Sequence, residues 1–132
     1  SYLNNCISSS LESSGLASHE IDLVCAHGAG TRSSDYYEGN AIMDIFGPNT
    51  AVTSFKGYLG HTLGASSLLE MALLILCINK QEVPCILNTI DFDDRLQLNF
   101  LNKNREMKLN FCIKLCNAFA GYNASVVMKK FR

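Results

Sequence analysis

Apolar positions recur at intervals of three and four from the start of the chain, at Tyr2, Leu3, Cys6, Ile7 and Leu11. That spacing predicts an amphipathic helix over residues 2–15, ending near Gly15. The run Ile21-Asp22-Leu23-Val24-Cys25-Ala26 has few polar positions and predicts a short strand with both faces covered. It leads into a turn of small residues, His27-Gly28-Ala29-Gly30-Thr31. A second helix is predicted from Asp35 to Phe46, with Asp35 and Glu38 at its head and Gly47-Pro48 as its stop. Ala51-Val52-Thr53-Ser54 reads as a strand, Lys56 through Gly60 as a loop, and Leu63 to Lys80 as a long helix. That helix is apolar on nearly every side and is therefore expected to be central. Residues 85–110 scatter Asn, Asp and Lys among short apolar pieces and read as a surface excursion with one strand at Leu96–Leu101. Two strands, Phe111–Asn117 and Ala124–Met128, close the chain around Ala118–Asn123. This order implies an α/β layered fold with its polar residues gathered in loops at strand ends, where such folds build sites.

Composition narrows the class. A chain of 132 residues has room for one core, so residues 1–132 are read as a single domain. Apolar residues make up 48% and charged residues 17%, enough to bury a core and too apolar for disorder. Eleven basic against twelve acidic residues leave a charge of −1, which argues against a nucleic-acid partner. The six cysteines contain no CxxC pair, and Cys112 and Cys116 have no companions that would complete a metal site. Several sit in apolar runs as small hydrophobes, so a reduced, cytoplasmic protein is expected. The most apolar stretch, Leu68 to Ile78, is interrupted by Glu70 and falls short of the roughly 20 residues a bilayer requires. Neither a membrane span nor an export signal is expected. The chain opens on Ser1 and enters a helical pattern at once, so the native start is expected elsewhere.

Three places could carry chemistry. His27, with Gly28 and Gly30, stands at a strand's carboxyl end, where a ligand can approach closely; the same glycines would equally serve to shape a turn. His61 precedes a long apolar helix whose amino end disfavours imidazolium, and Lys56 lies five residues earlier. A neutral imidazole there can donate to developing negative charge beside a fixed positive charge on Lys56, or simply cap the helix beside a solvated lysine. Phe119, flanked by small residues, marks a tight loop or an ordinary hairpin. Asp35 and Glu38 have the spacing of a helix cap. Cys25, two residues before His27, shares its strand face but is poorly placed to exchange a proton with it, so a buried core cysteine is expected.

Together these pieces resemble the β-ketoacyl synthases, the condensing enzymes of fatty-acid and polyketide assembly. His27-Gly28-Ala29-Gly30-Thr31 resembles the HGTGT motif, with Asp35, Glu38, Ala41-Ile42 and Phe46-Gly47 at the family's spacing. Lys56 and Gly60-His61-Thr62-Leu63-Gly64-Ala65 resemble K-x-x-x-G-H-x-x-G-A, and Ala118–Ala124 resembles the terminal G-F-G-G-x-N-A loop. The match covers nearly the whole chain but only about the final third of a typical synthase.

The resemblance implies the C-terminal half of a thiolase-like fold, layered helices on a mixed sheet, and incomplete. The implied reaction is a decarboxylative Claisen condensation of a cysteine-bound acyl group with malonyl-acyl carrier protein, without metal or cofactor. It implies that His27 and His61 donate to the malonyl thioester oxygen and that Lys56 supports them through Glu38. The Phe119 amide would complete an oxyanion hole while its ring gates the acyl pocket. Implied partners are acyl carrier protein and a missing N-terminal half or partner ketosynthase chain, in a dimer. The family's nucleophilic cysteine lies upstream of Ser1, so the chain alone is expected to be inactive; the alternative is a non-catalytic, chain-length-factor-like subunit. Three departures stand out: Ala29 removes a hydroxyl, Asn117 stands where Phe is common, and Ala118 and Ala120 replace glycines and are expected to stiffen the loop or exclude positive φ there.

Overall fold

A computed structural model describes residues 1–131. Helix α1 (Tyr2–Ser14) begins at Ser1, whose hydroxyl accepts from the Asn4 amide at 3.2 Å, and ends at Gly15 in the left-handed region, φ +68°. Its buried stripe is Leu3, Ile7 and Leu11, the spacing read from the sequence. Strand β1 (Leu23–Cys25) is buried at every position and pairs in parallel with β2 (Ala51–Thr53) on one side and β6 (Phe111–Asn117) on the other. Strand β7 (Asn123–Lys129) returns antiparallel along β6, and β4 (Asn99–Phe100) extends the far edge. The sheet order is β4-β2-β1-β6-β7, a mixed sheet as expected.

Alternation along the strands sorts side chains into two cores. Val24, Val52 and Ile113 face α1 and α2 (Arg32–Phe46). Leu23, Cys25, Ala51 and Cys112 face the opposite way, against Leu74, Cys77 and Ile78 of α4 (Ser66–Lys80). Helix α1 is pinned to the outermost strand by Ser10, whose hydroxyl donates to the Ser125 carbonyl at 3.0 Å.

Several expectations need correction. Lys56–Leu59 is not loop but a short helix, α3. The excursion holds more structure than one strand: besides β4 it carries β5 (Arg105–Glu106), which pairs antiparallel with β3 (Glu82–Val83) just ahead of it, and Leu101 and Leu109 are fully buried. Two-residue strands are too short to show a period, which hides them in the sequence. Helix α4 is not buried all round; Leu68, Leu69, Ile75 and Leu76 are exposed on its outer side. With the 3₁₀ turn Leu63–Ala65 ahead of it, the helical run reaches 18 residues at a mean hydropathy of 1.5, long and apolar enough by length and composition to cross a membrane. Its inner side packs on the sheet and carries the buried carboxylate Glu70, as a sheet-covering helix does. Ala120 adopts the left-handed conformation, φ +60°, that its side chain was expected to forbid. It does so in the turn Ala118–Tyr122 that joins β6 to β7.

Candidate functional site

Strand β1 delivers the chain to His27-Gly28 at the sheet's carboxyl edge. Gly28 turns with φ +56°, and a Cβ on it would lie 2.3 Å from the Ser54 hydroxyl oxygen. Only glycine lets this loop pass so close to the end of β2. Helix α2 then fixes the loop's backbone. Glu38, 3% exposed, accepts the His27 amide at 2.7 Å and the Gly28 amide at 2.9 Å, while Asp35 accepts the Gly30 amide at 3.2 Å. These carboxylates hold the loop rather than cap the helix. Burial pushes the Glu38 carboxyl above its ordinary range, and the two amides pull against that shift.

Lys56 opens α3 with its ammonium buried. It donates to the His27 carbonyl and lies 3.4 Å from His27 Nδ1. Its carboxylate partner is Glu70 of α4, at 2.6 Å, not Glu38 as the resemblance implied. Glu38 has both oxygens committed to amides across the sheet edge, whereas Glu70 sits on the α4 side with the lysine. The other Glu70 oxygen pairs with Lys114 of β6, a residue the sequence reading passed over. Lys114 is 1% exposed and also donates to the Ala26 carbonyl at 2.9 Å. Its signal was a lone lysine inside the otherwise apolar run Phe111–Cys116, matched by a lone glutamate in an apolar helix.

The two histidines meet. Their ring centroids are 5.3 Å apart with planes at 80°, an edge-to-face contact. His27 is buried, and burial first, then the charges of Lys56 and Lys114, pulls its pKa down to about 4, so it is neutral at pH 7. An ammonium can only donate, so the Lys56 contact leaves Nδ1 as acceptor and the His27 proton on Nε2. His61 Nδ1 accepts the Leu63 amide at 3.1 Å and lies 3.2 Å from the Ser66 hydroxyl, which likewise assigns the ring proton to Nε2. The pair therefore carries two N–H donors on adjoining rings.

His61 and Lys56 border a cavity of about 760 Å³ between the Gly28–Gly30 loop, α2 and residues 86–98. Its wall includes the apolar side chains of Ile42, Val52, Leu96 and Phe100. The excursion is tied down over it by Arg95, which pairs with Asp93 and stacks 4.3 Å above the Tyr36 ring. Phe119 is not brought here: its ring is 91% exposed, and it is absent from the cavity wall. Burial pushes the Cys25 and Cys112 thiols up to about 12, which makes them inert core residues. No group of three metal-ligating side chains exists among the described residues.

Residues 2–89 match the family model described as Beta-ketoacyl synthase, C-terminal domain. A 3-oxoacyl-[acyl-carrier-protein] synthase 2 from Coxiella burnetii is 33% identical over 129 residues, covering 95% of this chain and 31% of that protein. Among solved structures, a β-ketoacyl synthase from Burkholderia phymatum superimposes with a TM-score of 0.96 at 28% identity, over 98% of this chain and 32% of the other. The ishigamide ketosynthase/chain length factor gives 0.94 at 30% identity, over 98% and 33%. The chain thus spans about a third of the length of the relatives it matches.

Proposed function

Because the chain belongs to the β-ketoacyl synthase family, as its C-terminal domain, we propose that it supplies the histidine portion of an active site for decarboxylative Claisen condensation. In this reading the malonyl group on acyl carrier protein loses its carboxylate as CO2. The electron pair left behind forms an enolate whose oxygen is held by His27 and His61. The enolate carbon attacks the acyl carbonyl and the cysteine sulfur leaves. The observation that carries the reading is the contact of two imidazoles whose Nδ1 atoms are both occupied as acceptors. In this reading the two N–H groups are held toward one oxygen and need no reorganisation as charge develops, an effect worth about 3–4 kcal/mol per donor.

The nucleophilic cysteine belongs, in this proposal, to a further portion of the synthase or to a partner ketosynthase chain, and the assembly is a dimer served by acyl carrier protein. The exposed apolar side of α4 supports a covering partner. Six free cysteines suit the reducing cytoplasm. Joined to the cysteine-bearing portion, His27→Ala or His61→Ala should cut CO2 release from malonyl-acyl carrier protein by about 10²–10³-fold. Acyl transfer to the cysteine should be retained. Normal decarboxylation with lost acyl transfer would overturn the assignment.

A second reading has one observation in its favour, the outward position of Phe119 beside the left-handed Ala120. It makes the chain a non-catalytic, chain-length-factor-like subunit that shapes a partner's acyl pocket. Product length that changes with this chain while CO2 release does not respond to His27→Ala would select it.

A further inference from the structure

We propose that Lys114 is a positioning residue of this site: through a shared Glu70 it joins Lys56 in gripping the successive carbonyls of Ala26 and His27, and it leaves a surplus positive charge behind the imidazole pair. The inference rests on the reading of His27 and His61 as donors to an anion.

The contacts close a ring. Lys114 Nζ donates to the Ala26 carbonyl at 2.9 Å, the next peptide carries His27, and the His27 carbonyl accepts from Lys56 Nζ. Both ammonium groups return to the two oxygens of Glu70. Register places Lys114 directly opposite Cys25, on the side of the sheet that faces α4. The fold does not need this lysine to neutralise Glu70, since Lys56 already pairs with it at 2.6 Å. Burying an ammonium costs several kcal/mol, and an apolar residue of similar volume serves a strand interior as well or better. What Lys114 adds is charge and a fixed carbonyl.

The groups facing His27 define the balance. Lys56 comes from α3, Lys114 from β6, Glu70 from α4, Glu38 from α2 and His61 from the segment before α4. Glu38 is engaged by the His27 and Gly28 amides. On the α4 side two cations therefore share one carboxylate. That local excess of positive charge on the α4 side, with the second carboxylate, Glu38, set on the α2 side, disfavours imidazolium and favours negative charge held by the His27 N–H.

The test is an NMR titration of the His27 imidazole in the full chain, with no substrate present. The unmodified chain should titrate near pH 4. Lys114→Met and Lys114→Gln should move the midpoint upward by about one pH unit, while Lys114→Arg and the exposed Lys108→Met leave it in place. Lys114→Gln keeps a donor for Ala26 and covers the case in which Lys114→Met does not fold. An unmoved midpoint in folded Lys114→Gln overturns the proposal. So does the absence, in the unmodified chain, of cross-peaks between the Lys114 ammonium protons and Ala26.

In the joined synthase, Lys114→Gln should lower kcat for CO2 release about tenfold with KM unchanged. A titration shift without any wild-type decarboxylation overturns the functional reading and leaves Lys114 in its electrostatic role. Wild-type decarboxylation with an unmoved titration does the reverse.

Discussion

Lys56 reaches Glu70, fourteen residues further along the chain, across 2.6 Å, and neither side chain is open to solvent. Removing the carboxylate strands two buried ammonium groups. Glu70→Leu should therefore destabilise the chain by about 3–5 kcal/mol in urea unfolding. Adding Lys114→Met to Glu70→Leu should recover part of the loss. A loss below about 1 kcal/mol would show that water solvates the lysines in the folded state.

Gly28→Ala meets two obstacles at once, a left-handed backbone and the Ser54 hydroxyl 2.3 Å from the new methyl. Together they should cost about 2–4 kcal/mol. Ser54→Gly in the same chain should relieve the collision and leave the backbone penalty of about 1 kcal/mol. Thermal melts of the two variants separate these contributions.

His27 titrates near 4 in the folded chain, against 6.5 when unfolded. As pH falls through 6.5 the unfolded chain takes up the proton first, so stability is full above 6.5 and declines toward pH 4. The expected loss is about 2 kcal/mol after a discount for solvent screening. His27→Asn should flatten this part of the pH–stability curve. An equal decline in that variant would assign the effect to other groups.

Ala120 sits at φ +60° in the turn between β6 and β7. Ala120→Gly removes that strain and should raise stability by about 1 kcal/mol. Chemical denaturation of the single variant measures it; a neutral or negative change would mean that the turn holds its shape at no cost.

The layers were legible because Leu3, Ile7 and Leu11 repeat at helical spacing and β1 is apolar throughout. The histidines were legible from their glycine-bounded loops. The charge cluster behind them was not, because Lys56, Glu70 and Lys114 come from three elements and no local period links them. Lys56 was named as a support for the histidines but with the wrong partner, and Glu70 and Lys114 each stood only as a lone charge in an apolar segment. Glu38 illustrates the opposite error: its helix-cap spacing is real, yet its oxygens serve amides ten and eleven residues earlier. Phe119 matched a motif by sequence, but its placement depends on a turn whose geometry the alanines did not reveal.

The outward side of α4 has a practical consequence. With Leu68, Leu69, Ile75 and Leu76 all turned to water along one stripe, the purified chain will behave as a sticky colloid. It should bind fluorescent dyes that report greasy surfaces, adhere to phenyl resin and scatter light as its concentration rises. Handling it dilute, or with mild detergent, follows directly from those four side chains.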